Sequence, residues 1–414
     1  MENMSVSQFI RDNWDKCKRY EPEDRDTLIG MPYPYITPTA SNMFQEMYYW
    51  DTYFACEGLV LVEKTDLAKS CADNMAYMIN KYGLMPNGNR TYYLNHSQPP
   101  YFCMLVNLVF ESTGDKAWLK QMYDVIEKEY TFWQTERISP NGLNCYGSGK
   151  YDEEQGKELY DLMSRRFHIA NCFDRYEGYA DIAENIIAEC ESGWDFNPRF
   201  GYRCKDYNPV DLNSNLYLYE TLMAKFADVL HYEDIWTERA AKRKELINKY
   251  LWNGRYFCDY NHVKDEKSEV VSAAMLHPLW AGVADSEQAE KTRSALGMIE
   301  FDCGISACEK ADHDIVFQWD YPNAWAPLQF IAVKGLGRYG FAEDALRIAK
   351  KYVASIEAIF EKTNNLWEKY NAVNGTINVA NEYDMPDMLG WTAGVYLVCN
   401  RYLKDGVAGC FKDE

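Results

Sequence analysis

The 414-residue sequence has few positive charges for its length, with 43 lysines and arginines against 63 aspartates and glutamates. The formal charge of −20 would repel phosphate backbones and anionic lipid head groups over much of the surface. No apolar run approaches the roughly 18 to 20 residues of a membrane span. Neither a nucleic acid nor a membrane is therefore expected as a partner.

Disulfide and metal-binding patterns are also lacking. The chain has 13 cysteines, an odd number, but neither a CxxC pair nor a Cys/His spacing typical of zinc. Unpaired thiols are typical of a reducing compartment. The first twenty residues lack the apolar stretch of a signal peptide. These features predict a cytoplasmic protein without a metal site or a cofactor.

The chain shows no low-complexity linker, charge block or proline-rich hinge. We therefore predict one domain over residues 1–414, with the first ~35 residues as an extension packed on it. Apolar residues recur three or four positions apart in about twelve segments separated by Gly, Pro, Asn or Asp. The predicted helices lie around residues 5–18, 44–63, 66–82, 97–112, 115–136, 155–190 (broken), 211–231, 234–251, 269–283, 285–297, 323–335, 342–361 and 383–403.

Strand alternation is credible only in short pieces such as residues 255–260. The sequence therefore predicts an all-α fold of paired helices. Paired helices stack as an open solenoid or close into a ring. Because no short fixed repeat is evident, we favour a closed α/α toroid.

Aromatic residues make up 15% of the chain, including 33 tyrosines and 12 tryptophans. Large aromatic side chains pack helical cores, and they also present flat apolar faces that suit the CH-lined faces of sugar rings. Both interpretations remain open from composition alone.

Three tryptophans directly precede an aspartate, in the pairs Trp50-Asp51, Trp194-Asp195 and Trp319-Asp320. The two residue types are poor neighbours in an amphipathic helix, because one is usually buried and the other exposed. Each aspartate alone could be a helix cap or an ion-pair partner. Three such pairs in connections rich in Gly, Pro and Asn indicate instead an acidic pocket with aromatic walls.

Such a pocket suits glycoside hydrolysis, which needs one carboxylic acid and one carboxylate on either side of the bond. An apolar wall raises the pKa of a carboxyl group, so an aspartate beside tryptophan is a sensible acid. Asp195 fits this role, and Gly193 would let the backbone approach a ligand closely. The base stays open among Asp51, Asp320, Glu368, Glu382 and Asp384.

Residues 318–327 read QWDYPNAWAP and fit throughout the trehalase family pattern QWD-x-P-x-[GAV]-W-[PAS]-P. Similar stretches follow the family order, including FQEMYYWDTYF (44–54), PNGNRTYYLNHSQPP (86–100), ESGWDF (191–196), WEKY (367–370) and EYDMPDMLGWTAGV (382–395). From residue 36 to 404 the chain thus resembles the trehalase family.

This resemblance implies a six-hairpin (α/α)6 toroid barrel and hydrolysis with inversion at the anomeric carbon. The family's general acid falls on Asp195 and its general base on Glu368. Its contacts to the sugar fall on Phe44, Trp50, Asp51, Asn87, Gln98, Gly193, Trp319 and Glu382. The expected partner is a small carbohydrate substrate.

Three arginines that contact sugar in the family have no counterpart here. The family's PGGR is replaced by residues 40–43, His96 stands before SQPP, and residues 150–161 hold no RPES-like segment. His96 either binds substrate or is a structural histidine. A guanidinium offers several fixed donors that methionine or one imidazole lacks, so the substrate stays open. It is a trehalose-like α-linked disaccharide, a glucosyl- or mannosyl-glycerate, or another α-glycoside.

Two further classes of function are weaker. Glycoside phosphorolysis would require a basic cluster for phosphate, and the sequence shows none. An inactive sugar-binding homologue would not need both carboxylates, which are retained. The acidic stretch at 152–158 lacks the ligand spacing of an EF-hand and is interpreted as a solvated loop.

Overall fold

The computed structural model describes residues 4–147, 150–164, 173–311, 317–379, 384–387 and 389–406. The α-helices in these ranges are α1 (Val6–Asn13), α2 (Tyr49–Leu61), α3 (Thr65–Tyr82), α4 (Phe102–Thr113), α5 (Lys116–Glu136), α6 (Glu153–Met163), α7 (Tyr179–Ser192), α8 (Val210–Leu230), α9 (Trp236–Tyr250), α10 (His277–Ala281), α11 (Ser286–Ser294), α12 (Ala326–Arg338), α13 (Ala342–Thr363) and α14 (Trp391–Asp405). The strands there are β1 (Lys18–Arg19), β2 (Tyr35–Ile36), β3 (Tyr207–Asn208), β4 (Tyr260–Asn261), β5 (Glu266–Lys267), β6 (Glu300–Phe301), β7 (Gly304–Ile305), β8 (Asn323–Trp325) and β9 (Lys369–Asn371).

Six of the described helices form a closed ring. In order, α2, α4, α8, α10, α12 and α14 each pack on the next, and α14 packs back on α2. Helices α3, α5, α9 and α13 pack against these inner helices from outside. The strands form small antiparallel pairs and one three-stranded sheet, β3-β4-β5. This architecture confirms the predicted (α/α)6 toroid, and the buried apolar core runs from Val6 to Tyr402.

Apolar periodicity explains the outer helices. Helix α13 buries one face, which includes Ala345, Ile348, Tyr352, Ile356 and Phe360. It ends at a left-handed residue, as α3 ends at Gly83 with a φ of 84°. Within the described residues, no helix combines the length and apolar character needed to cross a bilayer.

The stretch at 152–158 is helical from Glu153 onward, so its interpretation as a loop is wrong, although all of its residues except Gly156 are exposed to solvent. Asp152 and Gln155 form a capping box that starts α6. The Glu153 carboxylate accepts hydrogen bonds from the N–H groups of Tyr179 and Ala180, at the start of α7. Helix α6 therefore packs on α7, outside the inner ring.

Several predicted helix starts are too early, because loop contacts replace the first helical turns. Helix α2 starts at Tyr49 rather than at Phe44, which has a φ of 52°. The Tyr49 N–H donates to the Asn87 carbonyl, so a neighbouring loop satisfies the start of α2. Helices α4 and α14 likewise start later than predicted, because the segments that precede them contain proline and glycine.

The ring closes where α2 and α14 touch through glycine. A Cβ atom on Gly394 would lie 2.0 Å from the Phe54 carbonyl oxygen, and one on Gly58 would lie 2.5 Å from the Gly394 Cα. The two backbones are therefore in direct contact, which only glycine permits.

We expect Gly394→Ala to lower the free energy of unfolding by about 3 kcal/mol, because the added methyl forces α2 and α14 apart. Gly297→Ala is the matched control, since its Cβ would meet no atom within 4 Å. Chemical denaturation of both variants checks this expectation. Equal stability of the two variants would contradict the close packing of α2 on α14.

Candidate active site

A cavity of about 500 Å³ opens at one end of the ring. The start of α2, the end of α7, the start of α14 and the loops before α12 and β9 meet there. The cavity brings together Asp195, Glu368, Phe44, Trp50, Asp51, Asn87, His96, Gln98, Gly193 and Trp319, all of them predicted site residues. Glu382 lies outside the described residues. Asp320 and Asp384, two further candidate bases, are not among the described residues that line it.

Asp195 lies on the turn that follows α7. This helix ends at Gly193 with a φ of 72°, and a Cβ there would lie 3.0 Å from the Trp50 ring. Glycine is therefore required both by the backbone and by the approach of Trp50. The Gln318 side-chain amide donates to the Asp195 carbonyl over 2.6 Å, which ties this turn to the loop before β8.

Tryptophan rings form one wall of the cavity. The ring of Trp319 stacks on that of Trp325, with centroids 3.8 Å apart and an angle of 2° between the planes. Trp194 also packs against Trp319, with a centroid distance of 5.2 Å and an angle of 31° between the planes. Trp194 itself does not line the cavity, whereas Trp319 and Trp325 do. We call Trp194, Trp319 and Trp325, whose rings contact one another in this order, the tryptophan column.

A buried arginine lies at the Trp194 end of the tryptophan column. The Arg199 guanidinium is 4.4 Å from the Trp194 ring centroid. It donates to both oxygens of Asp211 on α8 and to both oxygens of Asp259. Bidentate pairing of this kind fixes a guanidinium in position and direction. Arg199 thereby anchors the segment after Asp195 to the inner helix α8.

A buried lysine lies at the other end of the column. Strand β9 pairs with β8 so that Lys369 stands opposite Trp325, and its Nζ is 4.7 Å from the Trp325 ring centroid. The same Nζ donates to Glu368 Oε2 over 2.8 Å. Trp391 donates from Nε1 to the Glu368 carbonyl over 3.1 Å. The backbone and the carboxylate of Glu368 are thus held by separate contacts.

Asp51 lies in the first turn of α2 and faces the same cavity as the other two carboxyl groups. Burial, and then the charges of Glu368 and Asp195, raise its pKa from 3.8 to about 8. At neutral pH this carboxyl group is mostly protonated, so it can donate a hydrogen bond to a sugar hydroxyl. A mostly protonated Asp51 is a poor general base.

The connection before α4 supplies polar groups. Gln98 accepts a hydrogen bond from the Trp50 N–H over 3.2 Å, which orients its amide nitrogen as the donor for a ligand. His96 contacts Asn95 through Nδ1 over 2.6 Å. Burial lowers the pKa of His96 to about 4, so the ring is neutral at physiological pH. His96 therefore does not supply the charge of an arginine.

A buried ion pair supports this connection from behind. Glu191 on α7 accepts from the Ser97 N–H over 2.8 Å and from two nitrogens of Arg137. It also accepts from the Gly147 N–H. Neither Glu191 nor Arg137 is among the predicted residues, because a motif does not reveal which charges are buried as a pair.

The remaining described lining residues are not among the predicted site residues. They are Pro38, Tyr48, Tyr92, Tyr93, Asn95, Leu159, Leu162, Met163, Ile187, Cys190, Gln318, Trp325 and Trp391. The tyrosines lie inside the family-like stretches, so the resemblance could have found them. The apolar residues of α6 and α7 belong to no quoted motif other than helical periodicity. Among the described lining residues there is no lysine or arginine.

Comparison with known proteins agrees with this geometry. Residues 3–403 match the family described as trehalase. A periplasmic trehalase of Xanthomonas axonopodis pv. citri is 34% identical over 96% of this chain and 73% of its own length. The neutral trehalase of Saccharomyces cerevisiae superposes with a TM-score of 0.75 at 28% identity, covering 92% of this chain and 76% of that one. A mannosylglycerate hydrolase of Thermus thermophilus shares the fold, with a TM-score of 0.67 at 15% identity over 96% of this chain and all of its own.

These relatives overturn the expectation of a cytoplasmic location, because the bacterial ones are named periplasmic trehalases. The argument from cysteine fails for a structural reason. Of the eleven described cysteines, all of them free thiols, eight are buried and three are partly buried. Since buried thiols are shielded from oxidants, their unpaired state does not report the compartment.

The raised pKa of Asp51 predicts a pH dependence of stability. In the folded chain its pKa is about 8, against an ordinary value of 3.8, so the folded state binds the proton more tightly. This contribution to stability is fully present below pH 3.8 and is lost as the pH rises through about 8. Asp51→Asn removes the titration. We therefore expect the unfolding free energy of this variant, relative to wild type, to rise by about 3–4 kcal/mol from about pH 5 to about pH 8.

Chemical denaturation at both pH values measures the difference. Asp228→Asn, a change at an exposed position on α8, is the control and should show no such trend. A constant difference between Asp51→Asn and wild type would show that the carboxyl group is ionised throughout.

Proposed function

The chain belongs to the trehalase family and is a glycoside hydrolase, and we propose that it hydrolyses a neutral α-linked disaccharide such as trehalose with inversion. The observation that carries the proposal is that Asp195 and Glu368 line one small cavity together with tryptophan rings. An acid, a base and an apolar platform for sugar rings are the parts that this reaction needs.

In the proposed reaction Asp195 donates its proton to the glycosidic oxygen as the bond from that oxygen to the anomeric carbon breaks. Glu368 removes a proton from a water molecule on the opposite face, and the water oxygen bonds to the anomeric carbon. The products are one sugar with inverted configuration and one released sugar. Proton exchange with solvent restores the acid form of Asp195 and the base form of Glu368.

The charges around the cavity favour a neutral substrate. A glycerate conjugate carries a carboxylate, which is usually bound by arginine or lysine. The described lining residues include neither, and His96 is neutral because burial lowers its pKa to about 4. Glu368, which is ionised as the proposed base, also faces the cavity and would repel a further carboxylate. Trehalose and other neutral disaccharides meet these conditions.

A substrate whose leaving group needs no proton distinguishes the role of Asp195 as the acid from that of Glu368 as the base. We expect Asp195→Asn to lower kcat on trehalose by about 10²–10⁴-fold, yet to keep most of its activity on α-glucosyl fluoride. Glu368→Gln should lose activity on both substrates, because water still requires a base. Glu361→Gln, at an exposed position on α13, is the control and should match wild type. Full trehalose turnover by Asp195→Asn would reject the assignment.

Product stereochemistry tests inversion directly. Hydrolysis of trehalose with inversion releases one β-glucose and one α-glucose, whereas retention releases two α-glucose molecules. Proton NMR within the first minutes should therefore show both anomers in equal amounts. Kojibiose, nigerose, glucosylglycerate and mannosylglycerate complete the panel, and rapid turnover of either glycerate conjugate would contradict the proposed neutral substrate.

A further inference from the structure

We propose that Lys369 is a positioning residue that holds the carboxylate of Glu368 toward the attacking water. This inference rests on the proposed role of Glu368 as the general base. Lys369 does not line the cavity, so it acts through Glu368 rather than by touching the substrate.

The surroundings of Lys369 fix its ammonium group on several sides. Lys369 is 1% exposed, and its Nζ lies over the Trp325 ring, 4.7 Å from the centroid. The same Nζ donates to Glu368 Oε2 over 2.8 Å and to Gln318 Oε1 over 3.4 Å. A lysine ammonium has three donors on a flexible stem, so it needs such contacts to hold one direction.

The partners of Lys369 are themselves held rigidly. The side-chain amide nitrogen of Gln318 donates to the main-chain carbonyl of Asp195 over 2.6 Å. The main-chain carbonyl of Gln318 accepts from Trp325 Nε1 over 3.2 Å. Trp325 is stacked on Trp319 in the tryptophan column. The ammonium therefore has a fixed position relative to both proposed catalytic residues, and through it so does one oxygen of Glu368.

Burial of a lysine is unfavourable unless the charge is paired, and a leucine or methionine would fill this space without that cost. The ammonium charge of Lys369 lies next to the Glu368 carboxylate, and the proposed reaction depends on the orientation of this carboxylate. A displacement of about 1 Å in a reacting group is enough to lower turnover about 10²-fold. The arrangement thus suits a group that directs Glu368 more than one that only fills the core.

Kinetics of Lys369→Met on trehalose test the proposal. We expect kcat to fall about 10–100-fold, with KM within about threefold of wild type, because the substrate does not contact Lys369. Lys369→Arg keeps a charged donor and should recover part of the loss. Lys351→Met is the matched control, since Lys351 pairs with Glu300 outside the cavity. Should Lys369→Met fail to fold, Lys369→Arg still tests the proposal, with a kcat below wild type at an unchanged KM.

A double variant separates positioning from general packing. In Glu368→Ala, azide can replace water: its nitrogen bonds to the anomeric carbon of α-glucosyl fluoride as fluoride leaves, which gives β-glucosyl azide. If Lys369 acts through Glu368, adding Lys369→Met to this variant should change the azide reaction by less than about threefold. An equal loss in both backgrounds would overturn the proposal. Full trehalose turnover by Glu368→Ala without azide would instead reject Glu368 as the base, which is a separate outcome.

Discussion

Direct contact between the backbones of α2 and α14 is the constraint on which the rest of the structure depends. Six inner helices form a closed ring only if the first and the last meet, and Gly58 and Gly394 allow them to meet without side chains between them. The same two helices begin at the cavity, where they supply Trp50, Asp51 and Trp391. The distance between two walls of the site is therefore set by a glycine contact about one to two helical turns away.

The distribution of charge follows from the closed ring. The carboxyl groups of Asp51, Asp195 and Glu368 share one small cavity, and their crowding, after burial, raises the pKa of Asp51. The cations Arg199 and Lys369 lie at the two ends of the tryptophan column, over Trp194 and Trp325. They hold the acidic segments in place from outside the cavity, while the described lining leaves the substrate facing only neutral and acidic groups.

Apolar periodicity was enough to predict the outer helices α3 and α13, because in each of them one buried face repeats every three or four residues. The family-like stretches located the cavity, because they are the loops that join these helices. Two features were beyond both signals. The start of α2 depends on a hydrogen bond from a distant loop, and the burial of Lys369 depends on strand pairing. Each is a tertiary contact between segments that are far apart in sequence.

Helix α6 stands outside the ring, yet Leu159, Leu162 and Met163 form one side of the cavity. Its attachment to α7 rests on the hydrogen bonds from the start of α7 to Glu153, on the close approach of Gly156 to the Tyr179 carbonyl and on the contact between the Tyr160 and Tyr179 rings. The side of the cavity formed by α6 therefore does not depend on the helices that close the ring. Evolution or design can exchange this helix for another length or polarity, and so reshape one side of the cavity, while the barrel and its proposed catalytic carboxylates remain as they are.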